Sequence, residues 1–133
     1  VYAAMGDTRN ASSRFDSARI LLERNVREDP ADARYRSALG IVFAAQGRKG
    51  DAIAAGKKAV ELLPVEQEAW RGTYPLIDLA QIFTMTGEKD SAIVLLARVL
   101  SMPSEISPAQ LKNEPRWKPL RDQPGFAKLV AAK

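Results

Sequence analysis

Apolar residues recur at three-and-four spacing in two stretches of the chain. Ala52, Ile53, Gly56, Ala59, Val60 and Leu63 form one set; Ala92, Ile93, Leu96, Val99 and Leu100 form the other. This is the period of a helix that buries one face. Each stretch is preceded by a second apolar segment, carrying Leu39, Gly40 and Phe43 in one case and Leu79, Ala80 and Phe83 in the other. Gly47 and Gly87 separate the members of each pair, where a residue without Cβ can close a helix in the left-handed conformation. Short polar turns come next, at 48–50 and 88–89. The pattern predicts helical hairpins. Small residues at Gly40, Ala80, Ala52, Ala92 and Ala59 let antiparallel helices approach closely, and Leu39, Leu79, Phe43 and Phe83 fill the space beside them.

The two hairpins repeat. Leu39, Gly40, Phe43, Gly47, Ala52 and Ile53 map at one constant offset onto Leu79, Ala80, Phe83, Gly87, Ala92 and Ile93. The start of the chain carries the same marks. Tyr2, Gly6, Ala11 and Ala18 map, at an offset larger by one, onto Phe43, Gly47, Ala52 and Ala59. A second, shorter register relates Ala18 to Ala52 and Pro30 to Pro64. The registers differ by about two helical turns, an insertion that keeps the buried face in phase. A helix over about Thr8 to Glu28, longer than its counterparts, accounts for both. Pro30 and Pro64 stop their helices, since the residue before proline resists the helical conformation.

Leu39–Gly40, Phe43, Gly47, Ala52, Ala59 and Pro64, in this shorter register of about 34 residues, resemble a tetratricopeptide repeat. The sequence departs from the family pattern at three places. Arg36 stands where a bulky residue opens the first helix, Gly56 where the second helix has an aromatic, and Val99 where the last unit has a small residue. The resemblance implies an all-α, right-handed superhelix of antiparallel hairpins with a C-terminal capping helix, and a scaffold that binds proteins and does no chemistry of its own. A single domain is expected, divided into a truncated first hairpin (1–30), a second hairpin (31–64), an insertion loop (65–74), a third hairpin (75–103) and a Pro-rich cap with a final helix (104–133). Pro75 fits the first turn of a helix.

The tail has its own signals. Ser107–Pro108 reads as an N-cap with proline at the first helical position. Pro115, Pro119 and Pro124 make the middle irregular, and Phe126, Leu129 and Val130 suggest a short last helix. A solenoid needs a terminal element over its last apolar face, and Trp117, Leu120, Phe126 and Leu129 suit that role. The run Pro115 to Phe126, with GKKAVELLP, AWRG and DLAQIF before it, is similar to the C-terminal repeat arrays of certain bacterial multidomain signalling proteins. There the array follows a kinase, a nucleotide cyclase or a winged-helix domain. The first residue is Val1, not an initiator Met, and Tyr2 falls late in its hairpin's first helix. The chain therefore reads as the interaction end of a longer protein whose other domain precedes Val1.

Composition narrows the chemistry. The chain has 133 residues, 46% hydrophobic and 27% charged, an ordinary globular balance. It has no Cys and no His, which removes thiolate nucleophiles, the commonest general base and the commonest metal ligands. Glu66 and Glu68 fall on a loop, and Asp51 and Asp90 stand where acidic residues favour helix N-termini. No acid–base pair converges, so the expectation is no enzyme, no catalytic residue, no cofactor and no metal. The net charge is +4, with basic residues spread rather than gathered on one face. Helical-repeat RNA readers carry set polar residues at repeated positions, and the two hairpins share none; nucleic acid is not an expected partner. No apolar run reaches the ~20 residues of a membrane span, VYAAMGDTRN lacks the regions of a signal peptide, and a cytoplasmic location is expected.

A protein or peptide is the expected partner. By repeat position the concave face takes Arg34, Ser37, Ile41, Ala44 and Ala45 from one hairpin and Tyr74, Ile77, Gln81, Thr84 and Met85 from the next. Arg34 could hold a carboxylate, and Ile41 and Ile77 an apolar side chain. The family's clamp for a C-terminal carboxylate uses Lys and Asn where Ser37, Ile41 and Gln81 stand, so that specificity is not implied. Trp70, Arg71 and Tyr74 in the insertion either cover the edge of the stack or form a recognition loop. The alternative is a structural module that packs on its own parent or pairs two copies through the apolar edge at Val1 and Tyr2.

Overall fold

Two glycines set the direction of the chain. Gly47 and Gly87 have φ of 77° and 86°, and each follows the end of a helix. The amide of the next residue reaches back into the helix just completed: Arg48 N–H donates to the Phe43 carbonyl at 2.9 Å, and Glu88 N–H to that of Phe83 at 2.8 Å. These Schellman closures satisfy carbonyls the helix end leaves open and turn the chain back on itself. The Arg48 guanidinium then lies 4.4 Å from the centre of the Phe43 ring.

The computed structural model describes residues 8–104 and 106–131, with side chains from Ser12 onward. Helix α1 spans Thr8–Glu28, α2 Ala33–Ala45, α3 Lys49–Leu62, α4 Thr73–Met85 and α5 Lys89–Leu100. Then come α6 (Pro108–Asn113), a 3₁₀ helix (Pro115–Leu120) and α7 (Pro124–Ala131). No strand occurs among the described residues, and the architecture is an all-helical repeat fold. Val1, Tyr2 and Gly6, and with them the remnant of a leading helix, lie outside the described residues.

α1 has 21 residues against 14 in α3. α2 pairs with α3 and α4 with α5, while α4 also lies against both α2 and α3. That second contact depends on small residues. A Cβ on Gly40 would come within 2.7 Å of Ile82 Cδ1 and 3.0 Å of the Ala52 carbonyl oxygen. On Gly56 it would come within 2.8 Å of Leu79 Cδ1 and 2.9 Å of Ile82 Cδ1. Ile82 thus fills the slot that two glycines leave between α2 and α3. This explains why Gly56 stands where the repeat pattern has an aromatic: the incoming hairpin supplies the bulk.

The core has two parts. Leu39, Phe43, Ala44, Ala52 and Ile82 form the first, flanked by Leu22 and Val26 of α1. The second gathers Leu76, Ile77, Ala80, Ala92, Leu96 and Val99 with Ile106, Leu111, Trp117, Leu120 and Phe126 of the tail. The tail enters through α6, where the Ser107 hydroxyl accepts the Gln110 N–H at 3.3 Å. Its 3₁₀ helix lies on α4 and α5, and α7 lies on α5. Ion pairs mark the same register: Lys49 at the start of α3 reaches Glu88, and Lys89 at the start of α5 reaches Asp122 at 3.8 Å. The spacing from Glu88 to Asp122 equals that from Phe83 to Trp117, and both equal that from Pro30 to Pro64. The tail takes the place of one more repeat unit: its 3₁₀ helix and α7 lie on the third hairpin, and within the tail both pack on α6.

Candidate functional site

Between α1 and α2, residues 29–32 form a turn closed by the Asp32 N–H on the Asp29 carbonyl at 3.2 Å. Asp32 then caps α2, accepting the Arg34 backbone N–H at 3.0 Å. The same carboxylate accepts Arg34 Nε at 3.0 Å and Nη2 at 2.6 Å. The Arg34 side-chain hydrogen bonds, with its backbone N–H and the charges of Arg34 and Arg71 adding to them, hold the Asp32 carboxyl below its ordinary value. The Arg34 guanidinium is correspondingly raised, chiefly by Asp32.

Asp32→Ala is expected to cost about 1 kcal/mol near neutral pH, the usual worth of an N-cap. The pair itself is exposed and adds little. Because folding lowers this carboxyl's pKa, its contribution is present above the unfolded value and is lost as pH falls through the folded one. Urea midpoints of wild type and variant should therefore differ at about pH 7 and converge at about pH 2. A gap of equal size at both would show that the carboxylate's charge plays no part in the cap.

The insertion is wound tightly. The Pro64 carbonyl accepts N–H groups of Gln67 and Glu68 at 3.0 and 3.1 Å, and Gly72 N–H donates to the Glu68 carbonyl at 2.7 Å. Thr73 Oγ1 donates to the Trp70 carbonyl at 2.7 Å. α4 begins at Thr73, ahead of Pro75, so Tyr74 belongs to the helix and not to the loop expected over 65–74. Trp70 Nε1 donates to the Tyr74 hydroxyl at 3.2 Å, and Arg71 Nη1 to Glu68 at 3.2 Å. Trp70 and Tyr74 remain 48% and 37% exposed.

These two turns face each other across an open cleft of about 630 Å³. Ala31, Ala33, Leu62 and Leu63 give it an apolar lining, with Asp29, Asp32 and Arg34 on one side and Arg71, Tyr74, Pro75 and Asp78 on the other. Ser37 also lines it; the residue is only 4% exposed, and its hydroxyl has no hydrogen-bond partner. Among the described residues no group of three or more acidic side chains could hold a metal, and no helix is long and apolar enough to cross a membrane.

A family model described as tetratricopeptide repeat matches residues 3–66, from ahead of α1 to the first residues of the insertion. Residues 3–66 carry a tetratricopeptide repeat. No curated protein and no solved structure matches the chain. Tetratricopeptide repeats generally mediate protein–protein interaction and are typically not catalytic. The cleft lies where the matched repeat ends and the next hairpin begins.

Of the expected partner-binding residues, the structure brings Arg34, Ser37, Arg71 and Tyr74 to this one cleft, with Trp70 bonded to Tyr74. Others lie further along the repeat's first helices: Ile41 is half-buried, and Ala45 and Met85 are exposed. Gln81 is half-buried, and its Oε1 accepts Arg116 Nη1 at 3.1 Å. One expectation is corrected. Ile77 is not an open apolar contact: at 3% exposure it lies in the buried cluster with Trp117 and Leu120, because the tail roofs α4. Arg34 already holds one carboxylate, that of Asp32, through Nε and Nη2, while its side chain stays exposed. Ala44 and Thr84 are also buried, and Thr84 Oγ1 donates to the Ala80 carbonyl at 2.8 Å. Repeat position did not point to Asp29 and Asp32, because it considers the faces of first helices and not the turn before them; Asp78 lies within α4 itself, at a position the repeat pattern does not single out. The N-cap pattern at Asp32, two residues after Pro30, was the available signal.

Proposed function

We propose that the chain is a protein-interaction module that receives a partner at the cleft between its second and third hairpins, and that it forms the interaction end of a larger bacterial signalling or regulatory protein. The observation that carries the first part is the exposed Trp70–Tyr74 pair, with Trp70 and Arg71 on a loop braced by backbone hydrogen bonds and Tyr74 in the first turn of α4. Aromatic and arginine side chains are favoured anchors at interfaces, and a rigid loop limits the ordering cost of binding. The Pro115 to Phe126 run supports the second part by its similarity to signalling arrays.

A photoreactive residue at position 70, in cells expressing the parent protein, is expected to form an adduct with another protein. The same residue in place of Val94, exposed on α5, is expected to form none. Trp70→Ala with Tyr74→Ala should weaken the captured complex by at least about tenfold, the size of an interface anchor. Equal adducts at both positions, or full affinity in the double variant, would refute the reading. A self-pairing module is the second reading, favoured by Phe15, Ile20 and Leu21, which lie 36%, 59% and 49% exposed on α1. In that case the adduct at position 70 fails and light scattering reports a dimer.

A further inference from the structure

We infer that the outer face of the tail docks an acidic segment, a run of Asp or Glu side chains, on a protein partner. This surface is separate from the cleft, which no tail residue lines, and docking there does not depend on what the cleft receives. Charge is unevenly spread along the chain. Residues 105–133 hold six basic and three acidic residues, and so carry three of the four net positive charges. The 3₁₀ helix orders part of this excess, because its side chains eclipse at every third residue. Trp117 and Leu120 share one register and are 0% exposed. Pro115, Lys118 and Arg121 share another and are exposed. Lys112, in the last turn of α6, continues that register and is exposed as well.

Little inside the molecule competes for these cations. Lys112 and Lys118 make no side-chain hydrogen bond or ion pair among the described residues. Arg121 donates from Nη2 to the Glu114 carbonyl at 2.9 Å, a neutral acceptor that holds the guanidinium beside the end of α6. Of the acidic residues nearby, Glu114 accepts Arg116 Nε at 2.9 Å and the Trp117 indole N–H, and Asp122 turns to Lys89 of α5. The ridge is also rigid, since Trp117 and Leu120 root it in the buried cluster and Pro115 and Pro119 fix two of its φ angles. A positive, preorganised ridge favours a negative partner at low ordering cost. The surface chemistry narrows the class. None of the large apolar side chains exposed among the described residues belongs to the tail. The ridge therefore offers no apolar anchor for a bilayer and no ring on which a base could stack, and a run of carboxylates needs neither.

The test is a titration of the isotope-labelled chain, followed by amide NMR, with hexaglutamate and hexaglutamine peptides capped at both ends. Hexaglutamate should shift the amides of Lys112, Lys118 and Arg121, and added salt should weaken the effect. Hexaglutamine should leave them in place. Lys112→Glu with Lys118→Glu should weaken hexaglutamate at least about fivefold, the worth of two exposed ion pairs. Both residues are exposed, and an unmoved Trp117 indole signal would show that the tail stays docked. Lys57→Glu with Lys58→Glu makes the same change of charge on exposed residues of α3 and should leave the affinity within about twofold, because distant exposed charges are screened. Equal losses in the two double variants would mean that only overall charge matters, and would overturn the inference. So would the absence of any shift in the tail with hexaglutamate, or tighter binding of a thymidine oligonucleotide of equal charge. Cross-linking at position 70 decides the role of the cleft separately.

Discussion

Trp117→Ala is expected to lower the stability of the chain by about 3–5 kcal/mol, the range for truncating a buried aromatic. Trp117 is the largest fully buried side chain, at 0% exposure. It shares a cluster with Leu76, Ile77 and Ala80 of α4 and with Ala92, Leu96 and Val99 of α5. Its indole N–H reaches Glu114 Oε1 at 3.3 Å, and the Arg116 guanidinium lies 4.8 Å from its ring centre. Truncation would leave a cavity that a 3₁₀ helix holding Pro115 and Pro119 has little freedom to close. Natural domains have only about 5–15 kcal/mol in total, so the variant should sit near its unfolding threshold. Urea unfolding would show the change as a lower midpoint at similar slope. Trp117→Phe, which keeps most of the apolar area, should recover more than half of the loss. A Trp117→Ala variant within about 1 kcal/mol of wild type would mean that the tail merely rests on the last hairpin, contrary to its buried cluster.

Gly72→Ala should cost about 2–3 kcal/mol, at the upper end for overpacking. Gly72 has φ of −66° and ψ of −16°, which alanine adopts freely, so conformation alone predicts no loss. Contact predicts a large one. The added Cβ would lie 2.7 Å from the Glu68 carbonyl oxygen, 2.7 Å from Val65 Cα and 2.8 Å from Val65 N. All three are backbone atoms, which cannot swing aside as the tip of a side chain can. The insertion would have to open, and with it the hydrogen bond from Gly72 N–H to Glu68 at 2.7 Å. The chain has two tryptophans, so the indole region of an amide spectrum separates the outcomes. Trp70 should shift and Trp117 stay. A variant with an unchanged midpoint and an unmoved Trp70 signal would show that the loop has slack. The same variant should lose partner binding along with the loop, because Trp70 and Tyr74 are positioned from it.

Several details are legible in the residues because their causes are local. The reversals at Gly47 and Gly87 follow from glycine's access to positive φ. The end of α1 at Glu28, just before Pro30, follows from proline's effect on the residue ahead of it. The α6 cap needs only Ser107 and Pro108. The glycine at position 56 is a different matter. Within the repeat pattern it is a lapse; α4 makes sense of it by placing Leu79 and Ile82 against it, and no local signal carries that.

The candidate site divides along the same line. Repeat position brings Arg34, Ser37 and Tyr74 forward as partner-facing, and the cleft contains them. The same rule makes Ile77 the equivalent of Ser37 in the next hairpin. Ser37 ends at the edge of an open cleft and Ile77 beneath the tail. The difference comes from the segment that packs on each hairpin: α4 leaves a gap beside Ser37, while the 3₁₀ helix covers Ile77. The mix of charges at the cleft likewise arises only when the turn before α2 meets the turn before α4 and α4 itself, which carries Asp78.

By itself, then, the sequence determined the helices, their reversals and the repeat, because periodicity, glycine and proline act within a few residues of where they stand. Tertiary structure alone decided which repeat positions stay open, which side chains are already engaged, and which of them meet at one cleft. Exposure and pairing depend on segments distant in sequence, and a helical position specifies only the direction of a side chain, not what stands in front of it.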